Sequence, residues 1–333
     1  MEISGGSFLV VGGAGFIGSH VVDVLLERGA AHVSVIDNLS RGQKENVNPK
    51  ADFRCLDCKL LVNFGTNAFS GVFMLAASWL DDCTKNPGGS FQNNTMGLTR
   101  LLDALLRSHD SPKVVFSSSA SVYGDPVVEP MPEGHPLNCR NVYGASKVAG
   151  ELLCRAYVTQ FGLKAVSLRY ANVYGPRQDV VANSSVGRTA VIPSMMDAVM
   201  DGGPVVVQGD GENVYDFVHV RDVAEANVAA MASDCDEGEF NVGTGIETSL
   251  NELAERIVRL PTDGGKPACE IVHEGHTAAG YIRRRILATD AAWQAFGWKK
   301  RIEFDTGLTR TWEWRVAQRE KGLSADEGRL HDV

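Results

Sequence analysis

Gly12-Gly13-Ala14-Gly15-Phe16-Ile17-Gly18 stands between the apolar run Phe8 to Val11 and the amphipathic stretch Phe16 to Arg28. Glycines at this spacing allow a tight turn, let a ligand approach the backbone and let the helix pack closely on the strand. The first amides of a helix lack intrahelical partners and lie at the positive end of its dipole, so this junction suits a pyrophosphate without a basic side chain. A glycine motif alone is a weak signal. This one has the strand before it and the helix after it that a dinucleotide site requires.

Working outward, His32 to Asp37 reads as a second strand, giving β-α-β. Further strand-like runs follow at Val72 to Ala76, Lys113 to Ser118 and Ala165 to Arg169, separated by helical segments at Ser90 to Ser108 and Val142 to Phe161. The expected fold is α/β: a Rossmann-type doubly wound parallel sheet with helices on both faces. After Tyr170 the pattern changes to glycine- and proline-rich loops, with a helical stretch at Pro193 to Met200, a strand and helix over Asp216 to Ala232, a strand at Phe240 to Val242 and a helix at Leu250 to Leu260. These mark a smaller C-terminal α/β substrate lobe interleaved with the first. The expected division is 1–171 and 214–246 for the dinucleotide-binding domain and 172–213 and 247–320 for the substrate lobe. A polar tail from Ser324 is expected to fray.

Composition excludes several classes. The chain has 333 residues with 44% apolar and 22% charged content, as in an ordinary globular protein. A formal charge of −9 opposes general nucleic-acid binding. The only tight basic cluster, Arg283, Arg284 and Arg285, reads as a solvated face. The longest apolar stretch, Gly71 to Leu80, is too short to span a membrane. No leader is legible at the N-terminus, and a cytoplasmic location is expected. Seven cysteines without framework spacing read as free thiols. Cys55 and Cys58 form a CxxC with no second ligand pair, so no metal site is expected.

Asp37 closes the second strand 19 residues after Gly18, where a carboxylate can bond both hydroxyls of an adenosine ribose and repel a 2′-phosphate. With Asn38 beside it, this favours NAD over NADP, although Arg41 is near enough to soften the exclusion. The competing reading is that Asp37-Asn38 only caps a turn. Asp57 is a candidate contact to the adenine. Tyr143 and Lys147 are spaced i, i+4 at the start of a helical segment and share a face. An ammonium beside a phenol is expected to move a pKa of about 10 toward neutrality and make the tyrosine a general base. The serine run Ser117-Ser118-Ser119 ends an apolar strand shortly before them.

With these residues in place, the chain resembles the extended short-chain dehydrogenase/reductase family, and within it nucleotide-sugar epimerases of the UDP-glucose 4-epimerase kind. The matching segments are Gly12 to Gly18, Ile36 to Gly42, Ser117 to Asp125, Tyr143 to Lys147, Arg169 to Gln178 and Asp216 to Ala224, in order over nearly the whole chain. The resemblance implies a catalytic triad of Ser119, Tyr143 and Lys147, with Ser119 bonding the reacting hydroxyl and Lys147 also holding the nicotinamide ribose. It implies cofactor contacts from Gly12, Gly15, Phe16, Ile17, Gly18, Ala76, Asn94 and Tyr170. Ser121, Asn172, Arg188 and Tyr215 are assigned to the substrate.

The implied reaction is transient oxidation of a nucleotide-linked sugar to a keto-sugar by NAD, rotation, and return of hydride to the opposite face. Family dehydratases carry an Asp-Glu pair where this chain has Ala120-Ser121, which disfavours dehydration. A dehydrogenase that releases NADH is the alternative enzyme. A catalytically silent NAD-binding protein is the alternative of another class, opposed by the intact triad.

The chain departs from the family at two phosphate-gripping arginines, replaced by Tyr215 and Ala278. Each such contact is worth about 1.5–3 kcal/mol. Arg177, Arg188 or the Arg283 cluster are candidate substitutes; the other reading is an atypical substrate, a sugar without the usual nucleotide diphosphate grip. Met74, where relatives often have histidine, reads as core packing, and Trp79 as an unusually apolar wall beside the nicotinamide. Relatives dimerise through the two helices matching Ser90 to Ser108 and Val142 to Phe161, so a homodimer is expected, with apolar Leu98, Leu101, Leu102 and Leu105 at helical spacing in the first.

Overall fold

The computed structural model describes residues 1–63, 69–108, 112–178, 190–262, 268–275 and 283–330, with only the backbone at 62, 63 and 322–330. The first half runs β1 (Ser7–Val11), α1 (Phe16–Glu27), β2 (His32–Asp37), β3 (Asp52–Cys55), β4 (Gly71–Met74), α2 (Leu80–Lys85), α3 (Pro87–Leu105), β5 (Lys113–Ser119), α4 (Val142–Phe161) and β6 (Ala165–Tyr170). The second half runs β7 (Asn172–Tyr174), α5 (Val191–Met200), β8 (Val205–Gln208), β9 (Val214–Tyr215), β10 (Phe217–His219), α6 (Val220–Ala232) and β11 (Glu237–Val242). It ends with β12 (Thr248–Ser249), α7 (Leu250–Ile257), β13 (Ile271–Glu274), β14 (Arg284–Arg285), α8 (Asp290–Phe296) and α9 (Phe304–Leu330).

Seven parallel strands form the large sheet in the order β3-β2-β1-β4-β5-β6-β11. Strand order reverses between β1 and β4, and the crevice beyond the carboxyl ends of strands at such a point is where ligands bind in this architecture. Phe8, Leu9, Val10 and Val11 are fully buried, because helices cover both faces of the sheet. One apolar layer joins α1 and α6 to the sheet, and the other joins α3 and α4. Leu98, Leu101, Leu102 and Leu105 all belong to that second layer, so core packing accounts for their spacing. The small lobe has its own core around Met196, Val205, Phe217, Leu253 and Ile257.

Helix ends follow local chemistry. Asn141 accepts from the Gly144 amide at 2.8 Å to start α4, and Gly162 ends it at φ 70°. Helix α3 begins three residues before the expected Ser90, because Asn86 accepts from the Gly89 amide at 3.1 Å and Pro87 fits the first turn. Ser249 and Glu252 form a capping box at α7.

Residues 324–330 form the end of α9, where the sequence reads as a polar tail; residues 331–333 lie outside the described residues. One expectation is corrected. Residues 290–298, placed by the sequence in the substrate lobe, pack on the large sheet. Ala292 and Trp298 join its core, Phe296 meets Phe240 edge to face at 5.3 Å, and the Trp298 indole donates to the Asp222 carbonyl at 2.9 Å. An indole is buried where its N–H finds an acceptor, and Asp222 on α6 provides one.

Candidate active site

A cavity of about 930 Å³ opens at the carboxyl ends of the sheet strands and extends between the two lobes. Gly12, Gly15, Phe16, Ile17 and Gly18 line one end. Gly12 has φ +88°, and a Cβ there would meet the Ala76 amide nitrogen at 2.5 Å; a Cβ on Gly18 would lie 2.1 Å from the Gly12 carbonyl oxygen. Gly15 caps α1 in extended backbone with no side-chain bond, leaving the helix amides facing the cavity. This uncapped, side-chain-free cradle fits a dinucleotide pyrophosphate. Gly18→Ala is expected to cost about 1–3 kcal/mol through overpacking and to weaken NAD binding. Thermal melts with and without NAD check this; an unchanged melting point and NAD response would contradict it.

Asp37 makes the turn contacts of the competing reading while keeping acceptor capacity for a ribose. Its Oδ2 accepts from the Ala14 amide at 3.1 Å and its Oδ1 from the Leu39 amide at 2.9 Å. A carboxylate has about four lone-pair sites, so two bonds do not exhaust it. Asn38 accepts from the Ser40 amide and donates to Asp57 at 3.3 Å. Arg41 turns to Asp82 at 3.4 Å and covers the Trp79 ring at 5.3 Å. Trp79 lines the cavity, whereas Met74 is buried core.

Several expected cofactor residues stand back from the cavity wall. Asp37, Asn38, Asp57, Ala76 and Asn94 are absent from its lining. Asn94 is buried, accepting from the Ser78 amide at 2.6 Å and donating to the Ser78 carbonyl at 3.0 Å and the Ser146 hydroxyl at 2.9 Å. In this geometry it ties the loop after β4 to α4 with both amide donors, while its Oδ1 keeps one acceptor site.

Ser119, Tyr143 and Lys147 converge on the cavity from the end of β5 and the first turns of α4. Tyr143 is hydrogen-bonded to Ser119, and the Ser119 hydroxyl also meets Ser121 Oγ at 3.1 Å. The Lys147 ammonium donates to the Ser117 carbonyl at 2.6 Å and lies 5.6 Å from the centre of the Tyr143 ring. The sequence suggested that this lysine lowers the phenol pKa, and the structure corrects that. Burial raises Tyr143 to about 12, with the Ser119 bond opposing, and burial lowers Lys147 to about 8. Both shifts disfavour the phenolate–ammonium form because each charge is desolvated. In the cofactor-free protein, the ultraviolet difference between wild type and Tyr143→Phe is therefore expected to show no phenolate below about pH 10. A phenolate signal near neutrality would contradict this.

A buried charge network that the sequence reading did not identify lies behind the serine run. Arg169 holds Glu151 through two bonds of 2.8 and 2.7 Å, and Ser118 also donates to Glu151. The same guanidinium donates to the Tyr123 hydroxyl at 2.9 Å and the Glu133 carbonyl at 2.7 Å, and Tyr123 donates to Asn241 at 2.6 Å. The network fixes the strand that carries Ser119.

Ser121, Tyr170, Asn172 and Tyr215 also line the cavity. The Tyr170 hydroxyl donates to Asn227 at 2.9 Å. Arg188 and Ala278 lie outside the described residues. Arg177 lines the cavity but pairs with Asp23 at 2.8 Å. The basic cluster is not one solvated face: Arg283 is exposed near Asp210, Arg284 binds Glu129 and Glu247, and Arg285 faces the cavity. Alternation along the short strand β14 sends neighbouring side chains to opposite faces.

A family model described as the NAD dependent epimerase/dehydratase family matches residues 8–243. A protein named putative UDP-glucose 4-epimerase from Methanocaldococcus jannaschii is 36% identical over 312 residues, covering 92% of this chain and 97% of its own. The crystal structure of a UDP-glucose 4-epimerase with UDP-glucose from Thermotoga maritima is 34% identical, covers 94% of this chain and 99% of its own, and superposes with a TM-score of 0.84. A Thermus thermophilus UDP-glucose 4-epimerase in complex with NAD is 34% identical, covers 93% and 99%, and gives 0.82.

Proposed function

Because the chain belongs to the NAD dependent epimerase/dehydratase family, we propose that it is an NAD-dependent epimerase of a nucleotide-linked sugar, with UDP-glucose the first substrate to test. The observation that carries this reading is one continuous cavity. It joins the glycine cradle, the Ser119, Tyr143 and Lys147 cluster, and a wall from the small lobe that includes Ile192, Met195 and Tyr215.

Gly12, Gly15 and Gly18 with the start of α1 would hold the cofactor pyrophosphate, and Asp37 with Asn38 its adenosine ribose. NAD, when bound, would supply the hydride acceptor and donor. Ser119 would orient the sugar hydroxyl, and Tyr143 would take its proton and return it. Lys147, anchored on the Ser117 carbonyl, would turn its remaining donors to the nicotinamide ribose. Asn172 and Ser121 would contact the substrate. Ala120-Ser121 provides no acid-base pair for dehydration. Residues 1–171 and most of 214–246 would serve the cofactor, and 172–213 with most of 247–320 the sugar nucleotide; Tyr215 and Phe217 join the small-lobe core, and 290–298 serve as a strut on the large sheet.

We place the protein in the cytoplasm as a homodimer. No described helix is long and apolar enough to cross a membrane. Met96, Leu106, Leu152 and Phe161 are exposed on α3, α4 and the residue following α3, where a second copy would cover them. Incubation with UDP-, dTDP-, GDP- and CDP-sugars, followed by proton NMR, tests the function. Isomerised product is expected from at least one; stoichiometric NADH without an isomer would identify a dehydrogenase instead.

A further inference from the structure

Arg285 ends β14, which pairs in parallel with β9 so that Arg285 lies directly beside Tyr215. Paired residues on adjacent strands project to the same face, and both line the cavity. Among the described lining residues there is no aspartate or glutamate. The lining arginines Arg41, Arg140 and Arg177 each have an aspartate partner, in Asp82, Asp125 and Asp23. Arg285 has none among the described residues, and its Nε is buried without any hydrogen-bond partner. The carboxylate whose charge reaches it, Asp125, is already held by Arg140.

A guanidinium remains protonated in proteins, so desolvating it without a counter-charge is costly. Burial indeed weakens its hold on the proton. The arrangement is economical only if an anion enters the cavity. The planar fork of an arginine matches a phosphate through two parallel bonds. We propose that Arg285 grips the diphosphate of the sugar nucleotide, taking over across one strand the charge missing at Tyr215. This rests on the nucleotide-sugar reading above and names the residue that anchors its charged half.

The test is calorimetric titration of the NAD-loaded protein with UDP and with uridine, for wild type, Arg285→Gln, and Arg285→Gln combined with Tyr215→Arg. Arg285→Gln is expected to weaken UDP binding at least about tenfold while leaving uridine and NAD affinity unchanged. Moving the charge to position 215 should restore part of the UDP affinity, which a merely structural role for Arg285 would not do. Unchanged UDP affinity in Arg285→Gln, equal weakening of uridine, or no UDP binding by wild type would each overturn the proposal. Loss of UDP grip alongside failure to isomerise any sugar nucleotide would keep this assignment and overturn the epimerase reading. Isomerisation with undiminished UDP binding in Arg285→Gln would do the reverse.

Discussion

Tyr143→Phe is expected to lower turnover about 10²- to 10⁴-fold, the range lost when a positioned acid-base group is removed. The phenyl ring keeps the volume of the buried side chain and its place beside Lys147. Ser119 retains Ser121 as a partner, so no hydroxyl is stranded. Stability and NAD affinity should therefore be near wild type, and the loss should fall on kcat with little change in KM. Steady-state kinetics with the isomerised sugar nucleotide, beside an NAD titration, would show this. Retention of more than about a tenth of the activity would remove Tyr143 from the proton transfer. No change in any property would favour a catalytically silent NAD-binding protein.

The second large effect lies in the core. Glu151→Gln leaves the buried Arg169 guanidinium without its counter-charge, and breaking such a pair costs about 3–5 kcal/mol. Glu151 is fully buried and Arg169 is 2% exposed, so water cannot compensate. Ser118 also loses its charged acceptor, and activity should fall through the neighbouring Ser119. Replacing both partners, Glu151→Leu with Arg169→Met, should be less damaging than Glu151→Gln alone, since the apolar pair strands no charge. Urea denaturation of the three proteins measures this. A loss below about 1 kcal/mol in Glu151→Gln would show that the pair is relaxed or hydrated.

The large sheet was legible because its strands are apolar runs and its helices are amphipathic at the matching period. Strand β3, Asp-Phe-Arg-Cys, was not, because an edge strand with exposed residues lacks the apolar signature. Helix α2 was hidden by its six-residue length. Spacing and resemblance nominated Gly12, Gly18, Ser119, Tyr143 and Lys147, and all five line one cavity. Burial was not readable, and it reverses the expected direction of the Tyr143 pKa. The bonds of Asn94 to Ser78 and Ser146, 16 and 52 residues away in sequence, were likewise not readable. Arg285 was visible only as one of three adjacent arginines. Strand alternation separates it from its neighbours, and only the fold shows that Arg284 has two glutamates while Arg285 has no acidic partner among the described residues. The one available signal was the absence of arginine at Tyr215 and Ala278, which called for a replacement without locating it.

The most direct test of transient oxidation with return of the hydride uses UDP-glucose deuterated at C4, incubated with catalytic amounts of the NAD-loaded protein and followed by NMR. The account predicts an isomer that keeps deuterium at C4, accumulates beyond the amount of enzyme, and forms without net NADH. Wash-out of the label into solvent, or NADH formed in step with a keto product and no isomer, would contradict it.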